Sequence, residues 1–120
     1  MPDSTKNIYI FEAVDPLNNY VYLTENTLEK HIYDAHVEMM GEVDLIKSTI
    51  EKPDKIYERT NEFQKVKHDY IKQHNKDELN SYGRYIKIIV DRELQGQIST
   101  AYCTPKSTQN DKLIYKKSDE

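Results

Sequence analysis

The strongest constraint on the fold is the alternation of apolar and polar side chains in YIKIIVD, residues 85–91. Ile86, Ile88 and Val90 fall on one face of a strand, because successive side chains of a strand point to opposite faces. The QGQ at residues 95–97 suits a tight turn, and ISTAYC at residues 98–103 suits the return strand. The sequence therefore predicts an antiparallel hairpin with one buried face.

The first half of the chain combines a second hairpin with helices. The β-prone runs at residues 7–15 and 20–23 flank the turn-forming sequence DPLNN, which predicts two short paired strands. Thr24 or Asn26 can cap a following helix. The buried stripe of that helix would consist of Leu28, Ile32, Ala35 and Met39, at helical spacing.

A second helix and a less regular region follow. Val43, Ile46 and Ile50 recur at helical spacing, and Pro53 ends the pattern. The sequence PDKIYER predicts the entry to a strand. Residues 60–82 fit a helix and a strand almost equally, and we interpret them as a strand followed by a polar loop at residues 73–81.

This order of elements predicts an α+β fold. We expect the N-terminal strands and two helices to pack on a mostly antiparallel sheet of four strands or slightly more. Residues 1–104 would form a single domain, in keeping with a length of 120 residues. Residues 105–120 are polar and predict a flexible C-terminal tail, in which KLIYK could add a brief edge strand.

The composition limits the cellular compartment and the kinds of binding site that we expect. Cys103 is the only cysteine, which excludes an internal disulfide and a cysteine-based zinc site and fits a reducing compartment. No signal peptide and no membrane-spanning run is evident, so we expect a cytoplasmic protein with no membrane partner. Residues 52–92 carry 10 basic and 7 acidic side chains, against 3 and 10 in residues 1–51. That local excess permits a phosphate-binding face but equally describes a solvated surface.

The sequence HIYDAHVEMM contains two histidines, His31 and His36, five residues apart. On a helix these positions lie about 140° apart, whereas a zinc-binding pair needs a spacing of four to share a face. We therefore predict no metal site. Both imidazoles would lie at the edges of the buried stripe. There they could act as acid and base in a cleft, or simply be half-exposed side chains bonded to a loop.

The predicted second hairpin carries cations and hydroxyls on adjacent strands. Arg84 and Lys87 lie on one strand, and Ser99, Thr100 and Tyr102 lie on the other. Such a set could bind a phosphate and stabilise charge that develops on it. Threonine, tyrosine and exposed lysine are also ordinary strand residues, so this interpretation stays open.

Three segments together resemble a known group of nucleases. They are LTENTLEKHIYDAHVEM, IKSTIEKPDKIYE and YIKIIVDRELQGQISTAYCT. This set resembles the phage-associated branch of the barnase–EndoU–colicin–RelE-like nuclease superfamily. In that branch, helices with an HI…HPE-like segment precede a four-stranded antiparallel sheet whose last strand reads TAY. The chain departs from the pattern at Val37, where the family has proline, and across residues 60–82.

The resemblance implies metal-independent RNA cleavage, in which the ribose 2′-hydroxyl attacks its own phosphodiester and no cofactor takes part. His31 and His36 match the helix histidines of the family, and Thr100 and Tyr102 match its last strand. His36, His31 and Thr100 are the expected catalytic residues. The expected substrate-binding residues are Tyr102, which the resemblance supports, and Arg84, Lys87 and Ser99, which are inferred from their side chains and their placement on the hairpin instead of from the family motif.

The expected partners are RNA, such as tRNA or mRNA, and an antitoxin or immunity protein that would accompany a toxin or phage effector. The alternative is a non-catalytic module on the same fold that binds RNA or a protein.

Overall fold

The framework of the fold is one sheet of seven strands in a computed structural model, which describes residues 8–118. The strands are β1 Tyr9–Val14, β2 Tyr20–Thr24, β3 Lys55–Thr60, β4 Val66–Gln73, β5 Tyr85–Asp91, β6 Gln97–Thr104 and β7 Lys112–Lys116. Across the sheet they follow the order β1-β2-β6-β5-β4-β3-β7. Neighbouring strands are antiparallel except β2 and β6, which meet in parallel at Tyr22 and Gln97.

The helical segments lie between β2 and β3. They are α1 Glu25–Thr27, a π-helical turn Leu28–Tyr33, a 3-10 turn Val37–Met39, and α2 Val43–Glu51. Of the two predicted caps, Thr24 is the one used: its hydroxyl accepts the Thr27 N–H at 3.2 Å. The single helix predicted from Leu28 to Met39 is wrong. The helical turns end at Tyr33, so Ala35 is exposed although Ile32 and Met39 are buried.

One face of the sheet packs against the helical segments. Ile46 and Ile50 of α2 and Ile32 of the π-helical turn join the core cluster with Ile86 and Ile88 of β5. The alternation predicted for β5 is confirmed, since its even-numbered residues are buried and its odd-numbered residues are less so. The β5–β6 hairpin is also confirmed, with a register shift between Ile89 and Val90 that leaves Ser99 outside the pairing.

The α+β class is confirmed, and the sheet has seven strands where four or slightly more were expected. The strand at PDKIYER is β3, and the ambiguous region 60–82 contains β4 followed by an irregular connection, as predicted. The larger sheet arises because the first hairpin joins β6 through β2, and because β7 pairs with β3.

The boundary at residue 104 does not separate a tail from the sheet. Residues 105–111, here called the crossing segment, connect the end of β6 to β7, the edge strand that lies beside β3. Lys55 donates to the Ser107 carbonyl at 3.3 Å, and Gln109 donates to Asp69 of β4 at 2.7 Å. The part of the predicted tail up to Ser118 therefore includes a strand and its anchored connection, whereas residues 119–120 lie outside the described residues.

A buried hydrogen bond joins the first hairpin to the centre of the sheet. The hydroxyl of the fully buried Tyr70 donates to the carboxylate of Asp15, which also accepts the N–H groups of Leu17 and Asn19 in the turn after β1. Burial and this contact raise the pKa of the Tyr70 phenol. The phenol therefore stays protonated and serves as the donor.

We expect Tyr70→Phe to lower the free energy of unfolding by about 2 kcal/mol, as for a lost hydrogen bond to a charged acceptor. Urea denaturation measures this change. Tyr20→Phe is the control, because its hydroxyl donates to Glu12 at the surface, and it should change stability little. Equal effects of the two substitutions would contradict the role assigned to the buried bond.

Candidate functional site

The face of the sheet turned away from the helices, here called the open face, carries polar groups from four adjacent strands. Tyr102 on β6 lies opposite Lys87 on β5, and Lys87 lies opposite Ile71 on β4. Asp69 lies two residues from Ile71 on the same face and forms an ion pair with Arg59 of β3. Because the strands are in fixed register, these side chains keep a fixed spacing across the sheet.

Asp69 is the centre of a charged network on this face. Its carboxylate is fully buried and accepts two hydrogen bonds from Arg59, from Nε at 2.6 Å and from a terminal guanidinium nitrogen at 2.9 Å. Lys87 Nζ lies 3.7 Å from the same carboxylate, and Gln109 donates to it from the crossing segment. The hydrogen bonds to Asp69 raise the pKa of Arg59. Two cations thus share this carboxylate. Asp111, which accepts a hydrogen bond from Gln109 at 2.7 Å, adds a second negative charge beside Arg59.

His36 reaches the open face around the edge of β6. Its ring stacks on that of Tyr102, with the ring centroids 4.9 Å apart and the planes 27° from parallel. Glu38 accepts the backbone N–H of Cys103 at 3.1 Å, which fastens the segment after His36 to the same edge. The chain can turn here because the helical turns have already ended at Tyr33. A phenol therefore stands beside Lys87, and an imidazole stacks on that phenol.

A cavity of about 580 Å³, here called the groove, opens beside these groups. Its floor includes Ile71, Lys87 and Tyr102, and its wall includes Lys106 and Gln109 of the crossing segment. Cations, amides and hydroxyls surround it, and the arrangement suits a polar, anionic ligand better than an apolar one.

The other site residues predicted from the sequence lie partly on the open face and partly away from it. Thr100 lies on the open face opposite Ile89, two residues from Tyr102. Ser99 donates its hydroxyl to the Ile89 carbonyl at 3.1 Å and so stabilises the bulge. Arg84 is exposed and lines a separate depression with His74 and Asp77. Thus Tyr102 has His36 and Lys87 as neighbours, and Thr100 lies further along the same face.

His31 does not join His36. It is exposed on the π-helical turn, and within residues 8–118 its side chain takes part in no hydrogen bond, ion pair or ring contact. The expected geometry of two histidines at the edges of one helix does not exist, because the helix ends between them. A paired acid and base built from these two side chains is therefore not present.

The remaining two histidines have structural contacts. His74 is buried, its Nε2 lies 2.6 Å from the Gly83 carbonyl, and its Nδ1 accepts the Lys76 N–H. This pattern corresponds to a neutral ring with the proton on Nε2. His68 is buried, and its Nε2 lies within hydrogen-bond distance of a Glu58 carboxylate oxygen, at 3.0 Å. His36 is therefore the histidine of the open face.

Sequence reasoning missed Arg59, Asp69 and Gln109. Asp69 lies in the ambiguous region 60–82, and its partner Arg59 is ten positions earlier. The sequence did contain a signal for Asp69. If residues 66–73 form a strand, Asp69 lies near its middle, where a charged side chain is unusual. A carboxylate there needs a cation, which points towards the neighbouring strand.

Cys103 offers no nucleophile at neutral pH. Burial raises the pKa of its thiol to about 11, and the Glu38 and Glu42 carboxylates contribute to the rise. We expect the folded protein to react with a thiol reagent at pH 8 far more slowly than the urea-unfolded protein, because the thiolate is the reactive form. Rapid modification of the folded protein would contradict this.

The same thiol predicts a pH dependence of stability. In an unfolded chain the pKa of a cysteine thiol is about 8.5. The unfolded state therefore loses this proton first, and the stabilising contribution is lost as the pH rises from about 9 to 11. Urea denaturation across this range should show a steeper decline for the natural chain than for Cys103→Ala. Parallel declines would exclude the thiol as the cause.

In the described part of the chain, no three His, Cys, Asp or Glu side chains converge so as to hold a metal ion. Over the same residues, no helix has the length and apolar character needed to cross a membrane. Comparison with protein-family models, curated proteins and solved structures finds no match.

Proposed function

We propose that the chain is a metal-independent ribonuclease that binds RNA in the groove and cleaves it by attack of the ribose 2′-hydroxyl on the phosphodiester. The observation that carries this proposal is the stack of His36 on Tyr102 beside Lys87. It places an imidazole against a phenol that lines the polar groove together with a cation. RNA cleavage of this kind needs both an acid/base group and a cation.

The reaction assigns a role to each group. The His36 imidazole takes the proton of the 2′-hydroxyl as its oxygen bonds to phosphorus. The bond from phosphorus to the 5′-oxygen breaks, and the Tyr102 hydroxyl donates a proton to that oxygen. Water then carries the proton of His36 back to Tyr102, so that protons balance over the cycle. The products are a 2′,3′-cyclic phosphate and a free 5′-hydroxyl.

Lys87 and Arg59 would bind the non-bridging phosphate oxygens, where negative charge increases during the reaction. Asp69 orients both cations, and Thr100 offers a hydroxyl to the ribose or phosphate. Arg84 and Ser99, which were expected to contact substrate, have no part in this scheme because of their positions. His31 has none for the same reason.

In this proposal the chain acts as an RNA-cleaving toxin or mobile-element effector, with an antitoxin or immunity protein as its partner. The resemblance to the RelE- and barnase-like nucleases supports this, and so does the antiparallel sheet whose β6 carries the TAY sequence. Substrates in keeping with it are tRNA and mRNA.

A non-catalytic binding module on the same fold is the second candidate. Two observations favour it. Arg59 and Lys87 both pair with the buried Asp69 carboxylate, and His36 supplies the single imidazole on the open face. Such a face would hold RNA phosphates without a second strong acid or base. A protein-binding form of this candidate would use the exposed apolar side chains of the first hairpin, Ile8, Tyr9 and Val14.

Incubation with total tRNA and a mixed-sequence RNA in EDTA at low salt tests the proposal. We expect cleavage of both RNAs and no cleavage of DNA of the same sequence, which lacks the 2′-hydroxyl. Binding without cleavage by the folded protein would favour the module. Neither binding nor cleavage would contradict both RNA-based functions.

A further inference from the structure

A row of residues in register extends from the groove to the far edge of the sheet. Lys87 lies opposite Ile71, Ile71 opposite Lys55 on β3, and Lys55 opposite Lys116 on β7. Neighbouring strands lie about 4.8 Å apart, so Lys55 is roughly 10 Å from Lys87 at the backbone. The two ends of the row, Lys87 and Lys116, are three strand spacings or about 14 Å apart at the backbone. An anion with at least two phosphates can contact both lysines without both side chains having to stretch towards one point.

The pair Lys55 and Lys116 is unfavourable in the protein alone. Directly opposite side chains of antiparallel strands approach closely, and like charges in such positions are destabilising. Lys117 lies next in the chain and forms an ion pair with Asp54 at 3.1 Å. Three lysines therefore face one carboxylate at this edge. An anion bound between these lysines would compensate the excess of positive charge.

A second cavity, of about 280 Å³, lies at these lysines. Lys55, Lys116 and Lys117 line it together with Asp54, Tyr85 and Ser107. Ser107 faces this cavity, whereas Lys106 and Thr108 face the groove, so the crossing segment runs between the two. Ile71 lines both. The two cavities are thus adjacent on one face, with a shared floor.

We propose that this second cavity is a subsite for a flanking phosphate of single-stranded RNA, at least one nucleotide beyond the phosphate held in the groove, with Lys55 and Lys116 as the phosphate contacts. The inference rests on the proposed RNA-binding function and adds a dependence on RNA length. Tyr85 provides an aromatic ring on which the adjoining base stacks. A dinucleotide fills the groove alone, whereas a longer RNA occupies both cavities.

Fluorescence anisotropy with 2′-O-methyl oligonucleotides of two and eight nucleotides tests the subsite without cleavage. The variants are Lys116→Ala and, as a matched control, Lys112→Ala. Lys112 is on the same strand but lies opposite Glu58, on the helix side of the sheet. Lys116 is exposed, and its substitution leaves the bond from Lys55 to Ser107 in place.

We expect Lys116→Ala to weaken binding of the eight-nucleotide RNA several-fold and to leave dinucleotide binding unchanged. The slope of log affinity against log salt should fall by about 0.7 for the longer RNA, the value for one phosphate contact of a single strand. Lys112→Ala should match the natural chain. Equal affinity of Lys116→Ala and the natural chain for the longer RNA would overturn the subsite alone. If neither oligonucleotide binds to the natural chain, the proposed function is overturned as well.

Discussion

Replacing His36 by alanine should lower the rate of RNA cleavage by about 10² to 10⁴-fold, the usual contribution of a general acid or base. The imidazole stacked on Tyr102 is the group that accepts the 2′-hydroxyl proton in the proposed reaction. Single-turnover cleavage of a labelled RNA in EDTA measures the loss. RNA affinity should change much less, since Lys87 and Arg59 still hold the phosphate.

His31→Ala is the matched control for this substitution. The same side chain is removed five positions earlier, at an exposed site on the π-helical turn. We expect it to cleave RNA at the rate of the natural chain. Loss of activity in both variants, with their folds intact, would contradict the assignment of the site to His36. Full activity of His36→Ala would locate the chemistry elsewhere.

Arg59→Ala should lower the free energy of unfolding by about 3 kcal/mol. This value is at the lower end of the range for breaking a buried ion pair. The reason is that Asp69 is fully buried, and the substitution removes both hydrogen bonds that the guanidinium donates to it. Lys87 and Gln109 remain close enough to compensate part of the lost interaction. Urea denaturation at neutral pH measures the difference.

Lys67→Ala provides the comparison for Arg59→Ala. Lys67 is on the same face and pairs with Asp91 at 4.0 Å, but both side chains are partly exposed. Such pairs contribute little to stability, so we expect only a small change. If both substitutions had equally small effects, Asp69 would not be the buried centre of a charge network.

The sequence predicted those elements in which one pattern dominates. The alternation around Ile86, Ile88 and Val90 required a strand with one buried face, and the turn residues after β5 required a return strand. The spacing of Val43, Ile46 and Ile50 likewise predicted α2 within a residue or two. Local periodicity was sufficient in these segments because no distant contact opposes it.

The position of His36 could not be predicted in this way. Leu28, Ile32, Ala35 and Met39 form a regular helical stripe in the sequence, yet the helical turns stop at Tyr33. Contacts with β6 accompany this early end: the His36 ring stacks on Tyr102, and Glu38 accepts a backbone N–H of that strand. These contacts join residues more than sixty positions apart. Periodicity carries no information about them.

The charged network depends on strand register in the same manner. Arg59 and Asp69 meet because β3 and β4 are adjacent and offset by a specific number of residues. The crossing segment is polar and has no periodic pattern, which is why a flexible tail was the natural expectation for it. Its order comes from Gln109 and from the pairing of β7 with β3, neither of which is visible from local sequence.

The most direct test of the proposed reaction uses an oligonucleotide of 2′-O-methyl residues with one internal ribonucleotide, in EDTA at low salt. The proposal predicts a single cut on the 3′ side of that ribonucleotide, with a 2′,3′-cyclic phosphate on one product and a 5′-hydroxyl on the other. The fully 2′-O-methylated oligonucleotide should stay intact. Cleavage at methylated positions, or product ends other than these, would contradict attack by the 2′-hydroxyl.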